Sequence, residues 1–564
     1  MTDVSFRIMS YNIHQGLGSE LMPAYGLEKV AQAIHQHRPD IVGLQEVYRH
    51  GRKPVIEDMG ARLAERMSIL RGETWYLVWV PSEDMCYQTG LPKNARGYGD
   101  AIISRFPVLS TTHLSYNWGG KDRWRERRVC IQATLDVDGH HINVFNTHPA
   151  RTDVAVQAPQ IVDFMRMFPE PRIITGDFNL YEDNPWFPET HAVFTTQGYR
   201  DAWQQRGIGD GSTFPAGVAD AAKRKHRIDY IFHVDFPGLV LTRVQVDQGE
   251  ASSDHCPLIA DYTWSGDPPA GAAQTPGAGT IARETWTGLG REATIAALLA
   301  ETADLSAPPT SIERLLLFQA PWRVGERYGS RIRGMVIPPI DGDYVFWIAG
   351  HGNCELRLGE DERSARGAPP IARVCAGTAS YVGRDDLPIT DSGHTGSAQW
   401  AKYPSQRSPP IQLRAGRRYH IEAWHKDGID DESDTLGDSL AVGWQLPDGT
   451  CERPIPGCRL APPADAADAP IIDPALVVDA GPDVTVAGAV VLAGSARTPS
   501  GAAARGRISW IMASGPGTVR FWEPTSPTTL ATFSAPGTYV LVLSVENHAV
   551  CAYDHVRIEV QAPC

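Results

Sequence analysis

The sequence predicts a multidomain chain, an α/β fold in its first half followed by two all-β sandwiches, and three observations carry that expectation. Apolar runs at Phe6 to Met9, Ile41 to Leu44, Ile142 to Phe145 and Ile173 to Ile174 read as buried strands, each closed by a polar signature. A stretch from Ser265 to Gly279, rich in Pro, Gly and Ala and almost uncharged, reads as a linker. Beyond it the texture changes to short strands such as Asp343 to Ala349 and Arg418 to Trp424, with helical periodicity confined to Glu292 to Leu299.

The polar signatures follow one another in order. Asn12 stands in SYNIH, Glu46 in GLQEV, His148 in NTHPA, Asp177 and Asn179 in TGDFN, and Asp254 and His255 in SSDHCP. Polar residues at the ends of parallel or neighbouring strands converge on one rim of a sheet. Carboxylate and amide oxygens there suit a hard divalent cation, and two histidines suit proton transfer and phosphate contact. A single tripeptide of this kind is weak, because Asp and Asn are common turn residues. The ordered set points to a metal-dependent phosphoesterase.

With Gly99 to Pro107 and Arg227 to Phe232 falling between the signatures, residues 4 to 264 resemble the endonuclease/exonuclease/phosphatase superfamily, which includes deoxyribonuclease I, abasic-site endonucleases, neutral sphingomyelinases and inositol-phosphate phosphatases. The resemblance implies a deoxyribonuclease I-like four-layer α/β sandwich, two packed sheets flanked by helices. It also implies roles. Glu46 would be the principal Mg²⁺ ligand, with Mn²⁺ able to substitute, and Asp254, Asn12 and Asp177 would complete the metal set. Asp177 would orient or deprotonate the attacking water, and Asn179 would hydrogen-bond the phosphate. His255, its tautomer fixed by Asp229, would bind a phosphoryl oxygen or pass a proton. His148 would face the opposite side of the phosphate, near the leaving group. The competing expectation for Asp229 is a salt bridge with Arg227.

The expected domains are a catalytic domain at 1–264, a linker at 265–282, a β-sandwich at 283–460, a second linker at 461–475 and an immunoglobulin-like domain at 476–564. Residues 283–460 resemble the module named after the anthrax protective antigen, through Arg283 to Gly288, Tyr328 to Gly334, Gly342 to Ile348, Trp400 to Gln406 and Leu440 to Trp444. That resemblance implies an accessory domain that binds carbohydrate or a cell surface. The stretch Ile348 to Asn353 lacks the paired carboxylates of a calcium-bridged glycan site. The acidic run from Asp427 to Asp438 reads as a solvated loop. Residues 476–562 resemble the immunoglobulin-like repeat of polycystic kidney disease proteins, through Val478 to Asp483, Ser509-Trp510 and Ala531 to Leu541, which implies spacing or attachment.

The net charge of −14 over 564 residues excludes a protein that coats nucleic acid generally, though it leaves a nuclease open, because local potential at the site decides. Basic clusters occur at Lys121 to Arg128 and Lys223 to Arg227. No apolar stretch reaches the ~18 to 20 residues that span a bilayer, and Met1 to Phe6 does not read as a signal peptide. The expected location is nonetheless extracellular or at the cell surface. The nine cysteines include Cys86, Cys130 and Cys256 in the first half. In the second half Cys354 with Cys375, Cys451 with Cys458 and Cys551 with Cys564 would suit disulfides in an oxidising compartment. Cys256 reads as a buried free thiol, and none of the nine has zinc-site spacing.

The expected reaction is hydrolysis of a phosphodiester. Trp75 and Trp79 read as core, whereas the Trp118 to Arg128 loop mixes aromatics with arginines and favours nucleic acid over phospholipid as substrate. The alternatives are a sphingomyelinase-like or other small phosphoester hydrolase, and an adhesin carrying a vestigial hydrolase half.

Overall fold

A computed structural model describes residues 3–562 except 20–25, 50–57, 83–96, 117–127, 152, 219–222, 224, 266–278, 293, 321–326, 351, 375–394, 396–399, 401–402, 427–439, 473–474, 499–500, 502, 505 and 548–549. The Trp118 to Arg127 cluster, the acidic run and most of the first linker lie outside the described residues. The chain forms two compact units. One holds residues 1–165, 169–273 and 474–564, and the other 166–168 and 274–473.

The first unit is built on two sheets. In chain order its elements are β1 (Val4–Asn12), α1 (Leu27–His37), β2 (Ile41–Arg49), α2 (Met59–Arg71), β3 (Trp75–Ser82), β4 (Gly97–Ser104), β5 (Val108–Ser115), β6 (Val129–Val137), β7 (His140–Thr147), α3 (Val154–Met165), β8 (Arg172–Asp177), α4 (Phe187–Thr195), β9 (Tyr199–Asp201), α5 (Ala202–Arg206), β10 (Asp229–Val234), β11 (Leu239–Val246) and β12 (Leu258–Trp264). One sheet runs β11-β12-β1-β2-β4-β3 and the other β5-β6-β7-β8-β10-β9. The strands read as continuous apolar runs because both faces are buried. Ile8, Ile102, Ile131, Val144, Ile173 and Ile231 fill the layer between the sheets, while Met9, Val42 and Leu77 turn the other way, under α1 and α2. Trp75 and Trp79 are core, as expected. This is the deoxyribonuclease I-like arrangement.

Two local devices position the polar rim. Gly43 lies where a β-carbon would come within 2.0 Å of Thr175 Oγ1, so the two sheets approach closely there. A buried polar layer fills that contact. Gln45 Nε2 donates to Asn146 Oδ1 at 2.6 Å, Thr175 Oγ1 donates to the same oxygen at 3.0 Å, and Asn146 Nδ2 donates to the Leu44 and Ala101 carbonyls. Beside it, the β2–β4 register slips between Leu44 and Val47, and Glu46 takes a left-handed φ of 61°. A bulge of this kind redirects a side chain out of the pleat, and here the redirected residue is Glu46.

β3 is not an edge strand. It pairs antiparallel with Val550–Val560, which pairs with Gly537–Asn547 and then Arg507–Ser514, so one sheet continues into the last 90 or so residues. Arg49 at the end of β2 is held by Asp58 at 2.9 Å and by Glu546 at 2.9 Å. Tyr553 joins the core beneath α2. The expected catalytic domain ends at 264, yet hydrogen bonds of β3 are satisfied by residues some 470 positions away.

The second unit is mainly strands in sheets of eight and four. Its first helix spans Ile295–Glu301 rather than Glu292 to Leu299, because Thr294 caps it by accepting from the Ala297 amide. A second helix, Glu362–Gly367, was not expected; it is too short for periodicity and is set by a capping box at Asp361. Residues 461–475, expected as a linker, carry instead Leu460–Ala461 and Ile471–Ile472, which pair into the sheet, and Asp465, which binds Arg333 at 2.7 Å. Pro and Ala there mark short edge segments rather than free chain. The proposed Cys451–Cys458 disulfide does not form. Both thiols are free, Cys451 sitting on a strand and Cys458 in a 3₁₀ turn. Cys256 is a buried free thiol, as expected. Among the described residues no helix is long and apolar enough to cross a membrane.

Candidate active site

Asp177 is the centre of the site. It ends β8 directly opposite Asp229, the first residue of β10, in the antiparallel register of those strands. Its Oδ2 accepts from Asn12 Nδ2 at 3.0 Å and lies 3.3 Å from His148 Nε2 and 3.6 Å from His255 Nε2. Both histidines therefore sit on one oxygen, well inside the ~10 Å that a single bridged phosphate allows. The other oxygen, Oδ1, accepts from the Asn179 amide at 2.9 Å. Asn179 takes a left-handed φ of 49°, and its side chain donates to the Pro149 carbonyl, which ties the loop after β8 to the loop after β7.

The two histidines are held in opposite states. His255 Nδ1 is 2.9 Å from Asp229 Oδ2. Burial alone would lower its pKa, but Asp229 and Asp177 outweigh that and push it up to about 10, so the ring is an imidazolium. His148 is driven well below its ordinary value, first by burial, then by Arg128 and His255. Arg128 Nη1 lies 2.7 Å from His148 Nδ1. Because a guanidinium only donates, Nδ1 is the acceptor and the His148 proton is on Nε2, facing Asp177. Burial raises the Asp177 carboxyl, with Asp229 adding to the rise and His255, Asn179 and Asn12 opposing it.

Glu46 joins this group through Asn12, whose Nδ2 lies 3.3 Å from Glu46 Oε1, and through Gln15, whose Nε2 donates to Oε2 at 3.1 Å. Asp254 lies to the side, 3.5 Å from His14 Nδ1, and burial raises its carboxyl. The structure thus brings Asn12, Glu46, His148, Asp177, Asn179, Asp229 and His255 into one connected network, with Asp254 beside it. Arg227 is not the partner of Asp229. It is buried against Asp201 at 2.8 Å and Glu182 at 3.0 Å.

Sequence reasoning gave no role to Asp100, Arg128, Gln15, Asn146 or Gln45. Asp100 is fully buried opposite the bulge that carries Glu46, and burial pushes it up to about 8, with Arg128 opposing. The Glu46 backbone also opposes the rise as a hydrogen-bond donor, and Asp229 Oδ1 has no hydrogen-bond partner among the described residues. The available signal was a charged residue inside an apolar strand, Gly99 to Ser104, where a carboxylate has no structural purpose. Asp177, Asp229 and His255 also present donor atoms that all lie within 4.8 Å of one another, a candidate divalent-metal group.

Residues 9–255 match the Endonuclease/Exonuclease/phosphatase family. This part of the chain is a phosphoesterase domain of that family. Among solved structures, an endonuclease/exonuclease/phosphatase from Beutenbergia cavernae is similar at 19% identity and a TM-score of 0.38, over 79% of this chain and 98% of that one. A Bacteroides thetaiotaomicron family protein is similar at 21% identity and 0.37, over 47% and 96%. A mannosyl-6-phosphatase from the same species is similar at 19% and 0.34, over 46% and 99%. A curated mouse relative, N-acetyl-beta-glucosaminyl-glycoprotein 4-beta-N-acetylgalactosaminyltransferase 1, is 35% identical over 120 residues, which are 21% of this chain and 10% of that protein. The chain therefore spans about a tenth of the length of that relative.

Proposed function

We propose that the protein is a divalent-metal-dependent phosphodiesterase, a nuclease in its substrate class. The observation that carries the phosphoesterase chemistry is the buried Asp229–His255–Asp177 row, which presents an imidazolium beside a carboxylate of raised basicity.

The residues fit a hard cation. Glu46 and Asp177 offer carboxylate oxygens on either side of the Asn12 amide nitrogen, Asp254 is close to the Glu46 charge, and Asp229 Oδ1 is a buried carboxylate oxygen with no hydrogen-bond partner among the described residues. A buried carboxylate oxygen without a donor is costly in a protein interior unless a cation or an ordered water offsets it. We assign Glu46, Asp177 and Asp254 to hold Mg²⁺, with Mn²⁺ as substitute, on the oxygen-rich donor set. Asn12, expected as a further ligand, instead donates its Nδ2 to Glu46 and Asp177 while its Oδ1 accepts from the His14 amide, so it positions the two carboxylates. When bound, the ion would neutralise phosphoryl oxygens and lower the pKa of a coordinated water.

The chain's own groups supply the rest. Asp177 takes a proton from the attacking water, its basicity raised by burial and by Asp229. His255 donates hydrogen bonds to a phosphoryl oxygen, and Asp229 holds its ring so that Nε2–H points into the site. His148, neutral with its proton on Nε2, is a second donor on the far side of Asp177, and the Asn179 side chain fixes the loop on which it stands. The reading is tested by incubating the full chain with Mg²⁺ and, side by side, plasmid DNA, bis(p-nitrophenyl) phosphate and sphingomyelin vesicles. Turnover of the first two supports it. Turnover of sphingomyelin alone assigns the enzyme to phospholipid instead, and no Mg²⁺-dependent turnover of any refutes the phosphodiesterase reading.

A further inference from the structure

Two ring contacts and a cation lie on the loops around the two histidines. Phe214 packs on His255 with ring centroids 4.9 Å apart. Its backbone pairs with that of His226 through two hydrogen bonds, Phe214 N–H to the His226 carbonyl at 3.0 Å and His226 N–H to the Phe214 carbonyl at 3.2 Å. The His226 ring meets Tyr181 edge to face at 4.9 Å. Arg151 lies over the Tyr181 ring at 4.7 Å, three residues beyond His148. Phe214, His226 and Tyr181 are half-buried and Arg151 is exposed. Burial raises the Tyr181 hydroxyl, Arg151 opposes the rise, and Asp177 and Asp229 are near enough to add to it. Arg151 makes no ion pair with a carboxylate among the described residues, which is unusual for an arginine beside so acidic a site.

We propose that this cluster is the subsite for the nucleotide next to the scissile phosphate, with the flanking phosphate paired with Arg151 and the base stacked on the Arg151 guanidinium, which the Tyr181 ring backs. The proposal rests on the nuclease reading above and specifies how the substrate is recognised. The chemistry selects among phosphoesters. A choline headgroup is a cation that aromatic faces can hold, but Arg151 already covers the Tyr181 face with positive charge and would repel it. A sugar monophosphate has one phosphate, which the metal site claims, and would leave Arg151 without an anion. A nucleotide chain supplies both a flat ring and a second phosphate. Stacking is worth about 1 to 3 kcal/mol per base, and a guanidinium preset on an aromatic face loses little freedom when it binds phosphate.

The test compares the full chain with its Arg151→Ala, Arg151→Lys and Tyr181→Ala variants on a ten-residue single-stranded oligothymidylate and on bis(p-nitrophenyl) phosphate. Arg151→Ala is expected to lose at least tenfold more in kcat/KM on the oligonucleotide than on the small diester, mainly through KM. The slope of log kcat/KM against log salt should shallow by about 0.7, the amount for one single-strand phosphate contact. Arg151→Lys should restore the slope and only part of KM. Tyr181→Ala should raise KM for the oligonucleotide without changing the slope. Equal losses on both substrates, or an unchanged slope in Arg151→Ala, overturn the subsite while leaving the nuclease reading intact. A wild-type chain that cleaves the small diester and not the oligonucleotide overturns both.

Discussion

Replacing Asp229 by Asn separates the proton chemistry of the site from its architecture. The amide is nearly isosteric and keeps an oxygen toward His255, but removes the charge first among those that hold the imidazolium at about 10. With burial still lowering the ring and Asp177, 3.6 Å from Nε2, and Asp254 still supporting it, the His255 pKa should fall by about two pH units, roughly 3 kcal/mol at 1.36 kcal/mol per unit. At pH 9 the wild-type ring is about nine-tenths protonated and the variant about one-tenth. The sign follows for stability too. A raised histidine contributes fully below about 6.5 and loses its contribution as pH rises through about 10, so the variant should be less stable than wild type at pH 6 to 7 and approach it above pH 10. The assay is the pH profile of kcat/KM on bis(p-nitrophenyl) phosphate, read with the thermal midpoint at each pH. An alkaline limb that stays where wild type has it would refute the assignment of His255 as the protonated group.

Other expectations follow from single contacts. Chelation should abolish turnover and Mg²⁺ or Mn²⁺ restore it, and Glu46→Gln should raise the metal concentration needed for half-activity more than it lowers the thermal midpoint; a variant that unfolds instead makes Glu46 structural. Arg128→Met should free His148 Nδ1 and lower kcat by roughly tenfold or more, with Arg128→Lys recovering part of it; histidine nitrogen NMR showing an unchanged His148 tautomer in the Met variant contradicts the role given to Arg128. A chain ending at Trp264 should lose several kcal/mol, at about 1 kcal/mol net per ladder hydrogen bond, and expose β3 as a sticky edge. An unchanged thermal midpoint in that truncated chain means the shared sheet contributes nothing.

The site was legible in the sequence because strand ends are local. Asn12, Glu46, His148 and Asp177 each stand at or near the end of an apolar run, and a buried strand followed by an unneeded carboxylate or imidazole is visible without any tertiary knowledge. Asp229 was separable from its neighbour only by chemistry, and the structure assigns Arg227 to Asp201 and Glu182. Asp100 and Arg128 were overlooked for opposite reasons. One was absorbed into a strand pattern, and the other into a basic cluster that reads as a solvated loop. The bulge at Glu46 has no signature, since a positive φ at a glutamate is imposed by the slipped pairing with β4. Least legible was the pairing of β3 with Val550–Val560. Strand propensity marks both segments, but which strands meet depends on packing and not on local pattern. The same limit explains 461–475, where a Pro-rich and Ala-rich composition conceals two short pairings.

The central claim is that the acidic pocket around Asp177 and His255 hydrolyses phosphodiesters with a divalent cation. Its most direct test is single-turnover cleavage of bis(p-nitrophenyl) phosphate by the full chain, with Mg²⁺ and with chelator, alongside Asp177→Asn and His255→Ala. Mg²⁺-dependent cleavage that falls by about 10²-fold or more in each variant, with each variant still folded at the assay temperature, is the predicted result. Cleavage that persists in excess chelator, or survives both substitutions, would contradict it.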